Sequence, residues 1–158
     1  MRSAPSLALA LVLASCGASS AAPAAQTQTE AVVIPGPPRP WAELTRDERT
    51  AHMTREVLPR MTELFAAYDA TRYDAFTCAT CHGEGAREHD YAMPNPALLP
   101  LHPTGSEGQH QTVRDHPEGV RFMYSRVMPA MQALLGAPEY DASTGEGFSC
   151  YAWHPHAE

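Results

Sequence analysis

Positive charge is scarce in this chain of 158 residues, which contains no lysine. Its 11 basic residues are all arginine, and they stand against 18 Asp and Glu, so the formal net charge is -7. Nucleic-acid phosphates require a basic face, and acidic membrane surfaces attract basic segments, so neither partner suits this composition. The length and the 44% hydrophobic content allow one domain with its own core, and 15 prolines with 10 glycines predict much loop.

No apolar run is long enough to span a membrane, and the one in residues 7–13 has another explanation. Arg2 precedes it and small residues follow, which is the layout of a secretory signal. The run ends in Leu13-Ala14-Ser15-Cys16-Gly17, which resembles a bacterial lipobox. We therefore predict a lipoprotein signal peptide over residues 1–15 and acylation of Cys16, which anchors the exported protein to a bacterial membrane, facing the periplasm. The alternative is ordinary cleavage after Ala22 or Ala25.

A stretch of low complexity follows the signal. Residues 16–40 consist mostly of Ala, Ser, Thr, Gln and Pro, which predicts a semi-rigid tether without a core of its own. The folded domain is therefore expected over residues 41–158, starting near Trp41.

Two amphipathic helices are predicted from start signals and apolar spacing. Thr45 and Glu48 have the form of a capping box, which starts a helix over about residues 46–67, with a kink at Pro59. The apolar face of this helix recurs at helical spacing, at Val57, Met61, Leu64 and Tyr68. A second start signal lies at residues 115–118, and Gly136 is placed to end the second helix.

The two helices are copies of each other at a shift of 70 residues. The matched pairs are Met53 with Met123, Val57 with Val127, Pro59 with Pro129, Met61 with Met131, and Leu64 with Leu134. After an insertion of two residues the match continues through Phe76-Thr77-Cys78 and Phe148-Ser149-Cys150. We expect a mainly α fold with long loops, built from two repeated kinked-helix, turn and Cys-motif units over about residues 45–90 and 115–156.

The first Cys motif reads Cys78-Ala79-Thr80-Cys81-His82, which is the attachment signature of c-type haem. Two thioether bonds fix the porphyrin edge, and the adjacent His82 is placed to ligate the iron. A bare Cys-x-x-Cys could instead be a redox pair or half of a zinc site. Neither alternative accounts for the adjacent histidine, and no second Cys pair completes a zinc tetrad.

The sixth iron ligand of an electron carrier is expected to be methionine. The candidates are Met53, Met61, Met93, Met123, Met128 and Met131. Met61 is preferred because it lies on the apolar helix face, 17 residues before Cys78, and matches Met131 in the second unit. Four histidines in loop sequence are expected to be solvated, a bis-His site being the minor alternative: His89, His102, His110 and His116.

A helix with an axial methionine, a turn and then Cys-x-x-Cys-His, repeated in tandem, resembles the multihaem cytochrome subunit of photosynthetic reaction centres. The resemblance covers about residues 53–156 and concerns arrangement rather than close sequence. It implies that Met61 serves the Cys78/Cys81/His82 haem and that Met131 serves the second unit. That family has four haem units, whereas this chain has two at most, so a photosynthetic role does not follow. The stretch Asn95-Pro96-Ala97-Leu98 carries an alternative resemblance, to small single-haem cytochromes. In that family the axial methionine follows the attachment motif, so Met128 or Met131 would be the ligand.

The second motif, Cys150-Tyr151-Ala152-Trp153-His154, has Trp where the second Cys belongs. Three interpretations stay open: a relic without haem, a haem held by one thioether through Cys150 with His154 and Met131 as axial ligands, or a free thiol. We favour one haem over two, with Trp153 packed into the degenerate site, because a buried indole replaces apolar volume that a lost haem vacates.

These patterns predict a membrane-tethered cytochrome that transfers single electrons between periplasmic or membrane redox proteins, and not an enzyme. The alternatives are a peroxidase-like haem enzyme or a haem-based sensor, both of which need an open iron position. No Ser-His-Asp arrangement, phosphate loop or paired carboxylates at helical spacing supports unrelated catalysis.

Overall fold

A computed structural model describes residues 34–157 and shows a mainly helical chain, as predicted. The α-helices are α1 (Arg46–His52), α2 (Leu58–Tyr68), α3 (Cys78–His82), α4 (Glu107–Asp115), α5 (Pro117–Phe122) and α6 (Met128–Leu135). Short 3-10 turns form at Trp41–Glu43 and Cys150–Ala152. Within residues 34–157 the extended structure is limited to isolated β-bridges, and no helix there is long and apolar enough to cross a membrane.

The first long helix begins with the predicted capping box. The Thr45 hydroxyl accepts a hydrogen bond from the Glu48 backbone N–H at 3.3 Å, and the Glu48 carboxylate accepts one from the Thr45 N–H at 2.8 Å. The Thr45 hydroxyl also donates to the Glu48 carboxylate at 2.8 Å, and the two bonds that this carboxylate accepts from Thr45, followed by the one from the Arg39 guanidinium, lower the pKa of Glu48 to about 2. The charged carboxylate therefore stabilises the first turn at all but acidic pH.

A π-helical turn lies where the kink was expected in each long helix. Met53–Val57 joins α1 to α2, and Met123–Val127 joins α5 to α6, so the two turns are 70 residues apart. Pro59 and Pro129 stand in the first turn of the helix that follows. Proline has no N–H to donate to the residue four back, and the wider turn absorbs that missing bond, so both helices continue through their proline.

The end of α6 matches the prediction, whereas α4 is an additional helix that we did not predict. Gly136 ends α6 in the left-handed conformation, φ +59°, and its N–H and that of Ala137 satisfy carbonyls of the last turn. The start of α4 is fixed by the Ser106 side chain, which accepts a hydrogen bond from the Gln109 N–H at 3.2 Å. Ser106 is an ordinary N-cap residue, and that was the overlooked signal.

The core lies between the two long helices. Helix α2 contacts the π-helical turn Met123–Val127, and α6 contacts Met53–Val57, so the packing is reciprocal. Its buried residues are Val57, Met61, Phe65, Val127, Ala130, Met131, Leu134, Leu135 and Trp153. His52 is also buried and donates from Nε2 to the Leu134 carbonyl at 2.7 Å, which satisfies one of the carbonyls left open at the end of α6.

Packing extends into the last part of the predicted tether. Ile34 packs against the core, and a Cβ added at Gly36 would lie 3.2 Å from the Ala133 carbonyl oxygen. The predicted signal peptide of residues 1–15, the acylation site Cys16 and the tether up to residue 33 lie outside the described residues.

Candidate functional site

Three predicted site residues, Cys78, Cys81 and His82, lie on one side of the short helix α3. Hydrogen bonds fix both ends of this helix. The Thr77 N–H donates to the Thr80 hydroxyl at 3.0 Å at its start. Gly83 ends it with φ +84° and donates to the Ala79 carbonyl. Positions i, i+3 and i+4 of a helix share one face, so the side chains of the first Cys, the second Cys and the following His project together.

A hydrogen bond to a backbone carbonyl orients the His82 imidazole and leaves its second ring nitrogen available. Its Nδ1 lies 3.1 Å from the Tyr91 carbonyl oxygen, which can only accept, so Nδ1 carries the hydrogen and Nε2 keeps its lone pair. Burial lowers the pKa of His82, although the bond to Tyr91 opposes the shift, and the neutral imidazole is favoured. Metal-ligating histidines characteristically donate their other ring N–H to a carbonyl or carboxylate in this way.

The turn that carries the Tyr91 carbonyl is strained and tied down. Asp90 and Tyr91 both have φ +55°, the left-handed region that side chains disfavour. The Tyr91 N–H donates to the Ala86 carbonyl at 2.7 Å, and the Asp90 carboxylate is ion-paired with Arg46 of α1. Such conformations persist only where the surroundings impose them, so the contacts around this turn fix the position of the Tyr91 carbonyl.

The environment of the motif disfavours a thiolate at Cys81. Cys78, Cys81 and Cys150 are all free thiols. Burial, with the nearby Cys78, raises the pKa of the Cys81 thiol to about 11. Reactive dithiols and zinc ligands need the thiolate, and their environments lower the pKa instead. Among residues 34–157 no three His, Cys, Asp or Glu side chains stand close enough together to hold a metal ion.

One large cavity joins the predicted site residues. Its volume is about 1580 Å³, and it is lined by Cys78, Cys81 and His82 as well as by much of the apolar face of both long helices. Pockets for a drug-sized ligand usually measure about 300–1,000 Å³. The cavity can therefore take a ligand as large as a porphyrin, and its aromatic wall includes Phe65 and Phe76.

All six candidate methionines line this cavity, but burial separates them. Met61 is 2% exposed and Met131 is 6% exposed, whereas the other four are only partly buried. Met61 lies on α2 and Met131 lies at the matching place on α6. The two methionines singled out from the repeat are thus the two that the fold encloses.

The second motif lines the same cavity through Cys150 and His154. The His154 Nδ1 lies 2.8 Å from the Leu99 carbonyl oxygen, so its Nε2 also keeps the lone pair. Trp153 is buried, as its predicted packing requires, and its ring meets that of Phe148 edge to face with centroids 4.9 Å apart.

Asn95, the first residue of the stretch that carries the alternative resemblance, has a structural role that was not predicted. It is the one asparagine of the chain and is 3% exposed. Its Nδ2 donates to the Cys81 carbonyl at 3.1 Å, and its backbone N–H donates to the Trp153 carbonyl at 2.8 Å. Gly83 lets it approach, since a Cβ there would lie 3.0 Å from Asn95 Oδ1. Asn95 therefore links the two Cys motifs, and its uniqueness was the available signal.

Three of the four histidines expected to be solvated are exposed, and His102 is the exception. The expectation that all four lie in loops was wrong for His110, which belongs to α4. His102 is partly buried, lines the cavity and packs against Gly108, where an added Cβ would lie 2.3 Å from its ring. The sequence around His102 is polar and rich in proline, which predicts an exposed side chain. The partial burial of its ring depends on the contact with Gly108 of α4, which the sequence does not indicate.

No protein-family model, no curated protein and no solved structure matches this chain.

Proposed function

We propose that this chain is a c-type cytochrome that carries haem on Cys78 and Cys81, with His82 as proximal ligand, and transfers single electrons. The observation that carries the proposal is the arrangement of α3. Two free thiols and a histidine with its Nε2 lone pair available line one cavity of about 1580 Å³.

The residues present fit the group. Cys78 and Cys81 provide the two thiols for attachment, and Nε2 of His82 provides the axial nitrogen. Haem bound there supplies a one-electron couple. Met61 is the proposed sixth ligand, because it is buried and lines the cavity. His/Met ligation leaves no open coordination position, which favours electron transfer over the chemistry of a peroxidase or a gas sensor.

The proposal extends to the duplication of the haem-binding unit and to the location of the protein at a membrane. The π-helical turns 70 residues apart and the reciprocal packing of the long helices support a duplicated haem-binding unit, arranged as in the cytochrome subunit of photosynthetic reaction centres. With Cys16 acylated, the domain would be held at a bacterial membrane facing the periplasm, and its partners would be periplasmic or membrane redox proteins.

Replacement of both Cys78 and Cys81 by alanine tests the attachment site. Trypsin cleaves after Arg72 and Arg87, so residues 73–87 form one peptide that contains this motif. The wild-type peptide should carry haem through denaturation, and the double variant should carry none, while Glu84→Gln, an exposed change in the same peptide, should keep it. If the wild-type peptide of residues 73–87 carries no covalent haem, the proposal is refuted.

The visible spectrum tests the functional class. A six-coordinate low-spin spectrum with the weak band near the red end that marks methionine ligation is expected. A high-spin five-coordinate spectrum would favour the enzyme or sensor alternatives instead.

A further inference from the structure

We propose that the second motif also holds a haem, attached by one thioether through Cys150, with His154 and Met131 as its axial ligands. This inference rests on the proposed function, because it assumes that the chain is matured as a c-type cytochrome. The sequence alone favours a relic site with Trp153 as filler. Three features of the fold favour an occupied site.

The first feature is the orientation of His154. Its Nδ1–H donates to the Leu99 carbonyl at 2.8 Å, as that of His82 does to the Tyr91 carbonyl at 3.1 Å. Both carbonyls belong to one loop between the two motifs. In each case the ring nitrogen left with a lone pair is Nε2.

The second feature is the cavity. Its volume of about 1580 Å³ is what remains with the Trp153 indole in place. That exceeds the roughly 1,000 Å³ at the upper end of ordinary single-ligand pockets. Cys150, His154 and Met131 line it together with the first motif. The indole packs edge to face on Phe148 at one wall and leaves this space open. The Trp153 indole therefore lines this cavity beside Phe148 rather than closing it.

The third feature is Met131. It is 6% exposed on α6, at the place that corresponds to Met61 on α2, and each of these helices contacts the π-helical turn of the other. The packing that presents one methionine to the cavity therefore presents the other in the same way. A thioether sulfur at this position completes the donor set of one Cys, one His and one Met.

One thiol is sufficient for covalent attachment. The Cys150 S–H adds across one vinyl group of the porphyrin, so that a carbon–sulfur bond forms at one vinyl carbon and the hydrogen goes to the other. No group leaves, and no external oxidant or reductant is consumed. The second vinyl group stays intact, because Trp153 has no thiol to offer.

Peptide mapping of the wild-type chain gives a direct test that depends on no variant. The chain has no lysine, and its last arginine is Arg126, so trypsin releases residues 127–158 as one peptide that contains Cys150. We expect one haem mass on this peptide and one on residues 73–87. Haem on residues 73–87 alone would overturn the inference and leave the proposed function standing. Haem on neither peptide would overturn both.

Two variants and one control variant sharpen the result. Cys150→Ser should remove the haem from residues 127–158 and keep it on residues 73–87, whereas the neighbouring Ser149→Ala should keep both. Trp153→Cys should leave the haem content at two and move the haemochrome band toward that of doubly attached haem. If Trp153→Cys instead raises the haem content from one to two, the wild-type site is a relic and the inference is wrong.

Discussion

Replacement of Met61 by leucine removes the candidate donor atom without opening the core. Met61 is 2% exposed and belongs to the central apolar cluster, so Met61→Ala would leave a cavity and cost about 2–5 kcal/mol of unfolding free energy. Leucine has nearly the volume of methionine, and such exchanges cost less than about 1.5 kcal/mol. Any larger effect of Met61→Leu on the haem is therefore an effect of the missing sulfur.

Loss of the sulfur should abolish the absorbance band that marks methionine ligation and should lower the reduction potential. Axial ligands and their surroundings tune haem potentials over about 0.8 V, and His/Met ligation lies toward the high end, so a fall on the order of 0.1 V or more is expected. The measurement is made by absorption and voltammetry in a Cys150→Ser background, so that only the first site contributes.

Met128→Leu and Met131→Leu in the same background are the matched controls, because both residues line the cavity and both exchanges conserve volume. The band should survive in both. If one of them removes the band while Met61→Leu keeps it, the distal ligand follows the attachment motif, as in small single-haem cytochromes. A band that survives in all three variants would refute methionine ligation from these positions.

Two further predictions concern stability and anchoring. Asn95→Ala removes the hydrogen bonds to the Cys81 carbonyl and from the Ala97 N–H, so the unfolding free energy should fall by about 2–4 kcal/mol in chemical denaturation. The exposed Glu88→Gln should change it by less than about 0.5 kcal/mol, and an equal effect of the two would contradict the role given to Asn95. Cys16→Ser should release the protein from membranes into the soluble periplasmic fraction, and an unchanged membrane distribution would count against acylation.

The helices were predictable from local signals, but their internal geometry was not. Thr45, Glu48 and Gly136 act on neighbouring backbone groups, so the start of α1 and the end of α6 followed from sequence. The π-helical turns before Pro59 and Pro129 depend on how the whole helix redistributes its hydrogen bonds. Proline marks the place of the disturbance, but its position in the sequence does not determine whether the helix bends, breaks or widens into a π-helical turn.

The site was predictable as a set of residue types and not as an arrangement. Cys78, Cys81 and His82 are adjacent in sequence, so their motif is local. The carbonyls that orient the histidines come from residues 9 positions later in one case and 55 positions earlier in the other. Backbone carbonyls have no signature in a sequence, because every residue has one. Only the fold determines which of them meets an imidazole.

The loop of residues 91–101 is hydrogen-bonded to both Cys motifs. Its first residue, Tyr91, supplies the carbonyl for His82, and Leu99 supplies the one for His154. Between them Asn95 bonds to the carbonyls of Cys81 and Trp153. A disturbance of this loop therefore reaches both histidines at once, whereas a disturbance of either Cys turn alone reaches one. If the two haems are present, their environments are coupled through Asn95, and Asn95→Ala should shift the spectra of both.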